Sequence, residues 1–154
     1  ARGRLSPEQL TAVEGELEAG DQATLPAGRW GCRVQRLLER DAGIVTWWGT
    51  SIECTSALMR LQREGCLDDD AEASAESRLR ELCSAWDEVL PSDACRQTAE
   101  RMLRVHPLRA ADALQLAAAL IAADHDPARL PVVCLDRRLA QAIRQEGFRL
   151  AVPA

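Results

Sequence analysis

Glu53, Asp112 and Asp136 are the residues of this sequence whose type and spacing could do chemistry together. In RAADALQLAAAL (109–120), Asp112 shares helical spacing with Leu108, Leu116 and Leu120, on a stripe predicted to face a core. A carboxylate on such a stripe is costly unless something pairs with it. Glu53 comes just after the apolar segment IVTWW (44–48), and Asp136 directly after PVVCL (131–135). Clustered carboxylates raise each other's pKa values unless a cation sits among them. Hard oxygen donors of this kind suit Mg²⁺ or Mn²⁺, and an ion so held can orient a water and stabilise charge growing on a phosphate. Arg137 and Arg138 flank Asp136 and are suited to hold a substrate phosphate.

Each acid also has a purely structural explanation. Thr50-x-x-Glu53 has the capping-box pattern. Asp136 is a good N-cap for a helix following it. Asp112 gains from the helix macrodipole and could pair with Arg109. Asp112 fits such a role least, because it lies inside its helix rather than at the cap.

The elements that must position these residues are legible from periodicity. A helix is expected over 7–19, opened by Ser6 and Pro7, then a glycine-rich loop to 31 and a short helix over 32–40. Residues 44–48 read as a buried strand, with Trp47 and Trp48 packed on its opposite faces. A helix over 51–64 stops at Gly65, and an amphipathic helix follows over 71–86. A short strand is expected within 87–91, a helix from Ser92 to 105, and the Asp112 helix from Pro107 to 124. Strand 131–135, a helix ended by Gly147, and a last strand at 148–152 complete the chain. Strands alternating with helices predict an α/β domain with a largely parallel sheet. In such folds the strand-to-helix corners gather at the carboxyl edge of the sheet, where ligands bind. Glu53 and Asp136 fall at such corners and Asp112 in the first turn of a helix after Pro107, so the three could converge on one patch.

The totals bound the function. A chain of 154 residues fits one domain with a single core. The net charge of −5, with every basic residue an arginine, argues against a broad nucleic-acid-coating surface but leaves room for a small local site. No apolar run approaches the ~20 residues of a membrane span, and no secretory leader is visible. The six cysteines form no CxxC pair, and the two histidines have no zinc-type spacing to them. Reduced thiols acting as small core residues in a cytoplasmic protein are the expectation.

Arg109 to Ala117, RAADALQLA, resembles the R-A-x-D-A-L-H/Q-L-A stretch of PIN domains of the VapC toxin type. Val133 to Leu139, VCLDRRL, resembles their strand that ends in Asp followed by R-R-L, and Val45 to Leu58 the segment carrying their helix-borne Glu. The three stretches occur in the family's order, and the resemblance covers about residues 32–154. It implies a PIN-like three-layer sandwich, a mainly parallel sheet flanked by helices. It also implies a Mg²⁺- or Mn²⁺-dependent ribonuclease whose metal-site acids match Glu53, Asp112 and Asp136. Such domains form homodimers held inhibited by a cognate antitoxin. The family's central first strand, ending in an Asp, has no evident counterpart in the pattern. Asp21 follows Glu-Leu-Glu-Ala-Gly and is a poor replacement. The chain begins with Ala rather than Met, so the expectation is either a first strand missing from the sequence or a variant lacking one metal ligand. Residues 1–31 are accordingly read as a helix and loop apart from the 32–154 domain, and a catalytically weak module binding RNA or an antitoxin-like protein is the competing function.

Overall fold

The computed structural model describes residues 10–13 and 43–152. The glycine-rich loop with Asp21 and the helix expected at 32–40 lie outside the described residues.

Five strands form one sheet: β1 (Leu10–Val13), β2 (Ile44–Trp47), β3 (Asp87–Val89), β4 (Val132–Cys134) and β5 (Leu150–Val152), in the order β3-β2-β1-β4-β5. Every pairing is parallel. Parallel neighbours cannot be joined by tight hairpins, and among the described residues five α-helices lie between and beside the strands: α1 (Thr50–Arg63), α2 (Asp69–Ala85), α3 (Asp93–Val105), α4 (Ala110–Ala122) and α5 (Arg137–Gln145).

β1 corrects the sequence reading. The helix expected over 7–19 contains instead, at Leu10–Val13, the central strand that the pattern did not reveal. Thr11 is in register with Val45 on one side and Val132 on the other. The physical reason is tertiary. β2 and β4 both present backbone donors and acceptors toward the middle of the sheet, and a strand between them satisfies both edges at once. Four residues are too short for alternation to outweigh the helical pattern of the glutamates around them, although Thr11 and Val13 are β-branched. Leu10–Val13 therefore belongs to the same sheet as the rest of the domain, not to a separate N-terminal segment.

All four residues of β2 are buried, as are all three of β4. Successive strand side chains point to opposite faces, so the sheet is covered on both faces at these strands. The main core gathers Trp47, Val132 and Cys134 from the sheet with Cys95, Ala99 and Met102 of α3, Leu116 of α4, and Leu139 and Ile143 of α5. α4 is buried along most of its length because small alanines let it lie close to α3 and β2. α1 and α2 pack against each other; only Thr50 of α1, and no residue of α2, is fully buried.

The ends of the helices follow local chemistry. Asp68 and Ser92 cap α2 and α3 by accepting from Ala71 N and Cys95 N. Gly147, at φ 94°, takes the left-handed turn that ends α5.

Candidate functional site

Because all strands run the same way, the ends of β2 and β4 lie at one edge of the sheet, and Glu53, Asp112 and Asp136 stand on the helices that start there. Glu53 is in the first turn of α1. Its backbone N–H donates to Gly49 O (3.1 Å), which anchors that turn to the end of β2. The expected capping box does not form: Gly49 is the N-cap and Thr50 the first helical residue, buried within the domain. Glu53 Oε2 instead accepts from Gln115 Nε2 of α4 at 2.5 Å.

Gln115 is the site residue that sequence reading missed. Its signal was present: it lies three residues after Asp112 in an otherwise apolar helix, and it is 2% exposed. A buried amide is kept where it has a hydrogen-bonding task, and here it joins α4 to a carboxylate on α1.

Asp112 is the third residue of α4 and is buried. Its Oδ2 accepts from the backbone N–H of Arg109 at 3.2 Å, so it does close the first turn of its helix. The same oxygen lies 3.4 Å from Nη2 of Arg138, which reaches across from α5. Arg138 thus supplies the cation that a carboxylate on a core-facing stripe requires. Its Nε is also buried and has no hydrogen-bond partner among the described residues.

Asp136 is the N-cap of α5; Oδ1 accepts from Leu139 N at 2.6 Å. Arg137 beside it is exposed. Cys134, at the end of β4, donates its thiol to Asp136 O at 3.4 Å. Burial pushes that thiol up to about 12, and the negative charges of Asp136 and Asp112 add to the shift. Cys134 therefore sits inert beneath the edge, within reach of the field of two of the three acids.

Glu53 is joined to α4 through Gln115, Asp112 is joined to α5 through Arg138, and Asp136 holds the start of α5. The donor set, three carboxylates, is of the kind that hard divalent cations take. In this arrangement, however, each acid is turned onto a protein partner, and among the described residues no group of three or more His, Cys, Asp or Glu side chains converges closely enough to hold a metal ion. Comparison with known proteins adds nothing to this geometry: no family model matches the chain, and no curated protein or solved structure does.

Proposed function

We propose that this chain is a metal-dependent endoribonuclease of the PIN-domain type, the toxin of a toxin–antitoxin pair, acting on RNA phosphodiester bonds. The observation that carries the reading is the placement of Glu53, Asp112 and Asp136 at helix starts on one edge of a parallel sheet, with Asp112 buried against a cation. β1 gives the sheet the central strand that the resemblance calls for, and the next residue in the sequence is an acid, Glu14. Mg²⁺ or Mn²⁺ would be held by Glu53, Asp112 and Asp136. When bound, the ion would supply a polarised water and charge stabilisation at the phosphate. Arg137 and Arg138 would hold the phosphate oxygens, since a guanidinium matches them in a bidentate way. A cognate antitoxin and a second copy of the chain are the protein partners this reading implies.

A second reading is favoured by a specific observation: each acid already has a protein partner and the three do not close on one point. Under it the chain is a PIN-like module that binds RNA or an antitoxin-like protein without cutting.

Isothermal titration with Mn²⁺ of the wild-type chain and of Asp112→Asn separates the two. Saturable binding lost in the variant, followed by RNA cleavage that needs the metal, supports the nuclease. Absence of binding in both proteins supports the binding module.

A further inference from the structure

His106 is the C-cap of α3 and Glu146 the C-cap of α5, and the two helices are joined where they end. The imidazole of His106 is almost wholly buried, and both of its nitrogens meet residues at the end of α5. Nδ1 lies 3.1 Å from Oε1 of Gln145, and Nε2 lies 2.7 Å from Oε1 of Glu146. Neither oxygen has a proton to give, since a carboxamide oxygen and an ionised carboxylate only accept. Glu146 is kept ionised: hydrogen bonds from Arg101 hold its carboxyl below the usual glutamate range against the effect of burial, and His106 lowers it further. A neutral imidazole has one N–H and one bare nitrogen, so in that form one of the two contacts sets a lone pair against an oxygen. With two protons the ring donates to both. Among the described residues, the charged groups that meet the ring or its carboxylate are Arg101 of α3 and Glu146 itself. α4 carries only Asp112, already turned onto Arg109 N and Arg138.

The backbone of His106 is held as well. Its N–H donates to Met102 O at 2.8 Å, and its C=O accepts from Leu108 N at 2.9 Å. Asp112 lies six residues further along the chain. α5 is therefore tied at both ends to one short stretch: Arg138 in its first turn reaches Asp112, and its last residues meet His106.

We propose that His106 is a proton-dependent clamp on α5: with both nitrogens protonated it pins the end of the helix, and on losing one proton to water it loosens the helix and the Arg138–Asp112 pairing at its other end. An imidazole is the side chain suited to such a device, because its charge changes near neutral pH. The clamp goes beyond the nuclease reading and stands or falls independently of it. It concerns how α5 is seated, not what the acids bind.

The test is NMR of the isotope-labelled wild-type chain without metal, from about pH 5.5 to 9, either side of the ordinary imidazole value. The ring nitrogens of His106 report its protons. The amide of Leu139, which donates to Asp136 Oδ1 in the first turn of α5, reports the far end through its hydrogen-exchange protection, corrected for the intrinsic effect of pH. Expected is that both ring nitrogens carry protons on the acid side. Leu139 protection should then fall by about two- to tenfold, the size of one lost hydrogen bond, along the same curve as the ring loses its proton. Glu146→Gln removes the anion and should move both the ring's titration and the Leu139 step to lower pH. His106→Gln keeps a donor for Glu146 but cannot titrate, and should leave Leu139 protection flat. A ring with one bare nitrogen throughout, a ring still doubly protonated at the alkaline end, or a titration that leaves Leu139 unchanged each overturns the proposal. These three outcomes are read on the wild-type chain and hold even if a variant fails to fold.

Discussion

Arg138 Nη2 of α5 and Asp112 Oδ2 of α4 lie 3.4 Å apart, and the carboxylate is almost wholly buried while the arginine side chain is 37% exposed. The pair joins the first turns of two helices that start at the same sheet edge. Its asymmetry matters: the arginine can swing toward solvent, but the acid cannot. A divalent cation entering beside Asp112 would therefore meet a displaceable competitor. Arg138→Gln is expected to tighten Mn²⁺ binding by about five- to thirtyfold, the effect of removing about 1–2 kcal/mol of competing interaction. Calorimetric titration of the variant measures this; an unchanged or weaker affinity would show that Arg138 does not compete for the acid.

Glu14 lies outside the described residues, and chain order alone brings it forward: it follows Val13, the last residue of β1. Strand ends in parallel α/β sheets carry ligand groups. Glu14→Gln is expected to weaken Mn²⁺ binding at least about tenfold, or about 1.4 kcal/mol, in the same titration, whereas Asp21→Asn leaves it unchanged. Equal effects of the two substitutions would remove Glu14 from the site.

The hydrogen bond from Gln115 to Glu53 links α4 to α1 across a sequence separation of 62 residues. A double-mutant cycle with Glu53→Gln and Gln115→Leu, followed by urea unfolding, should give a coupling of about 0.5–3 kcal/mol. Additive effects would mean that Glu53 draws its position from elsewhere.

Glu146, the C-cap of α5, accepts from Arg101 Nη2 (2.6 Å) and Nη1 (3.2 Å) of α3 and faces Nε2 of buried His106, the C-cap of α3, at 2.7 Å. The Arg101 hydrogen bonds hold the Glu146 carboxyl below the usual glutamate range, with burial opposing and His106 adding to the lowering. A carboxyl depressed in the folded state stabilises the fold above its unfolded pKa, about 4.3. That contribution is lost as pH falls through the lower folded value. Urea midpoints should therefore drop on acidification below about pH 4.3, with a smaller drop in Glu146→Gln. At neutral pH the same substitution should cost about 1–3 kcal/mol, since it weakens the partners of a buried histidine.

Gly49 has φ −75°, an ordinary value for any residue. What it lacks is space: an added Cβ would lie 2.5 Å from Nε1 and 3.0 Å from Cδ1 of Trp47. Gly49→Ala must push a core indole aside and is expected to cost about 1–3 kcal/mol, with a shift in tryptophan emission. A neutral effect on both would show that the ring has room to move.

The residue pattern alone determined much of this protein. The α/β class, β2, β4 and all five described helices follow from periodicity and from caps such as Ser92 and Gly147, because those signals are local. The three acids could also be named in advance, since Glu53 and Asp136 follow strands at strand-to-helix corners and Asp112 lies in the first turn of a helix, all places that such signals locate. The central strand could not. Leu10–Val13 is a strand because β2 and β4 need a partner between them, a requirement that exists only once both are in place. Gln115 and Arg138 likewise acquire their roles from helices brought together by packing, Glu53 with α4 and Asp112 with α5. The same holds for the two tryptophans, Trp47 and Trp48: adjacent and identical in the sequence, they were separated into a core residue and an exposed ring only by where β2 stops.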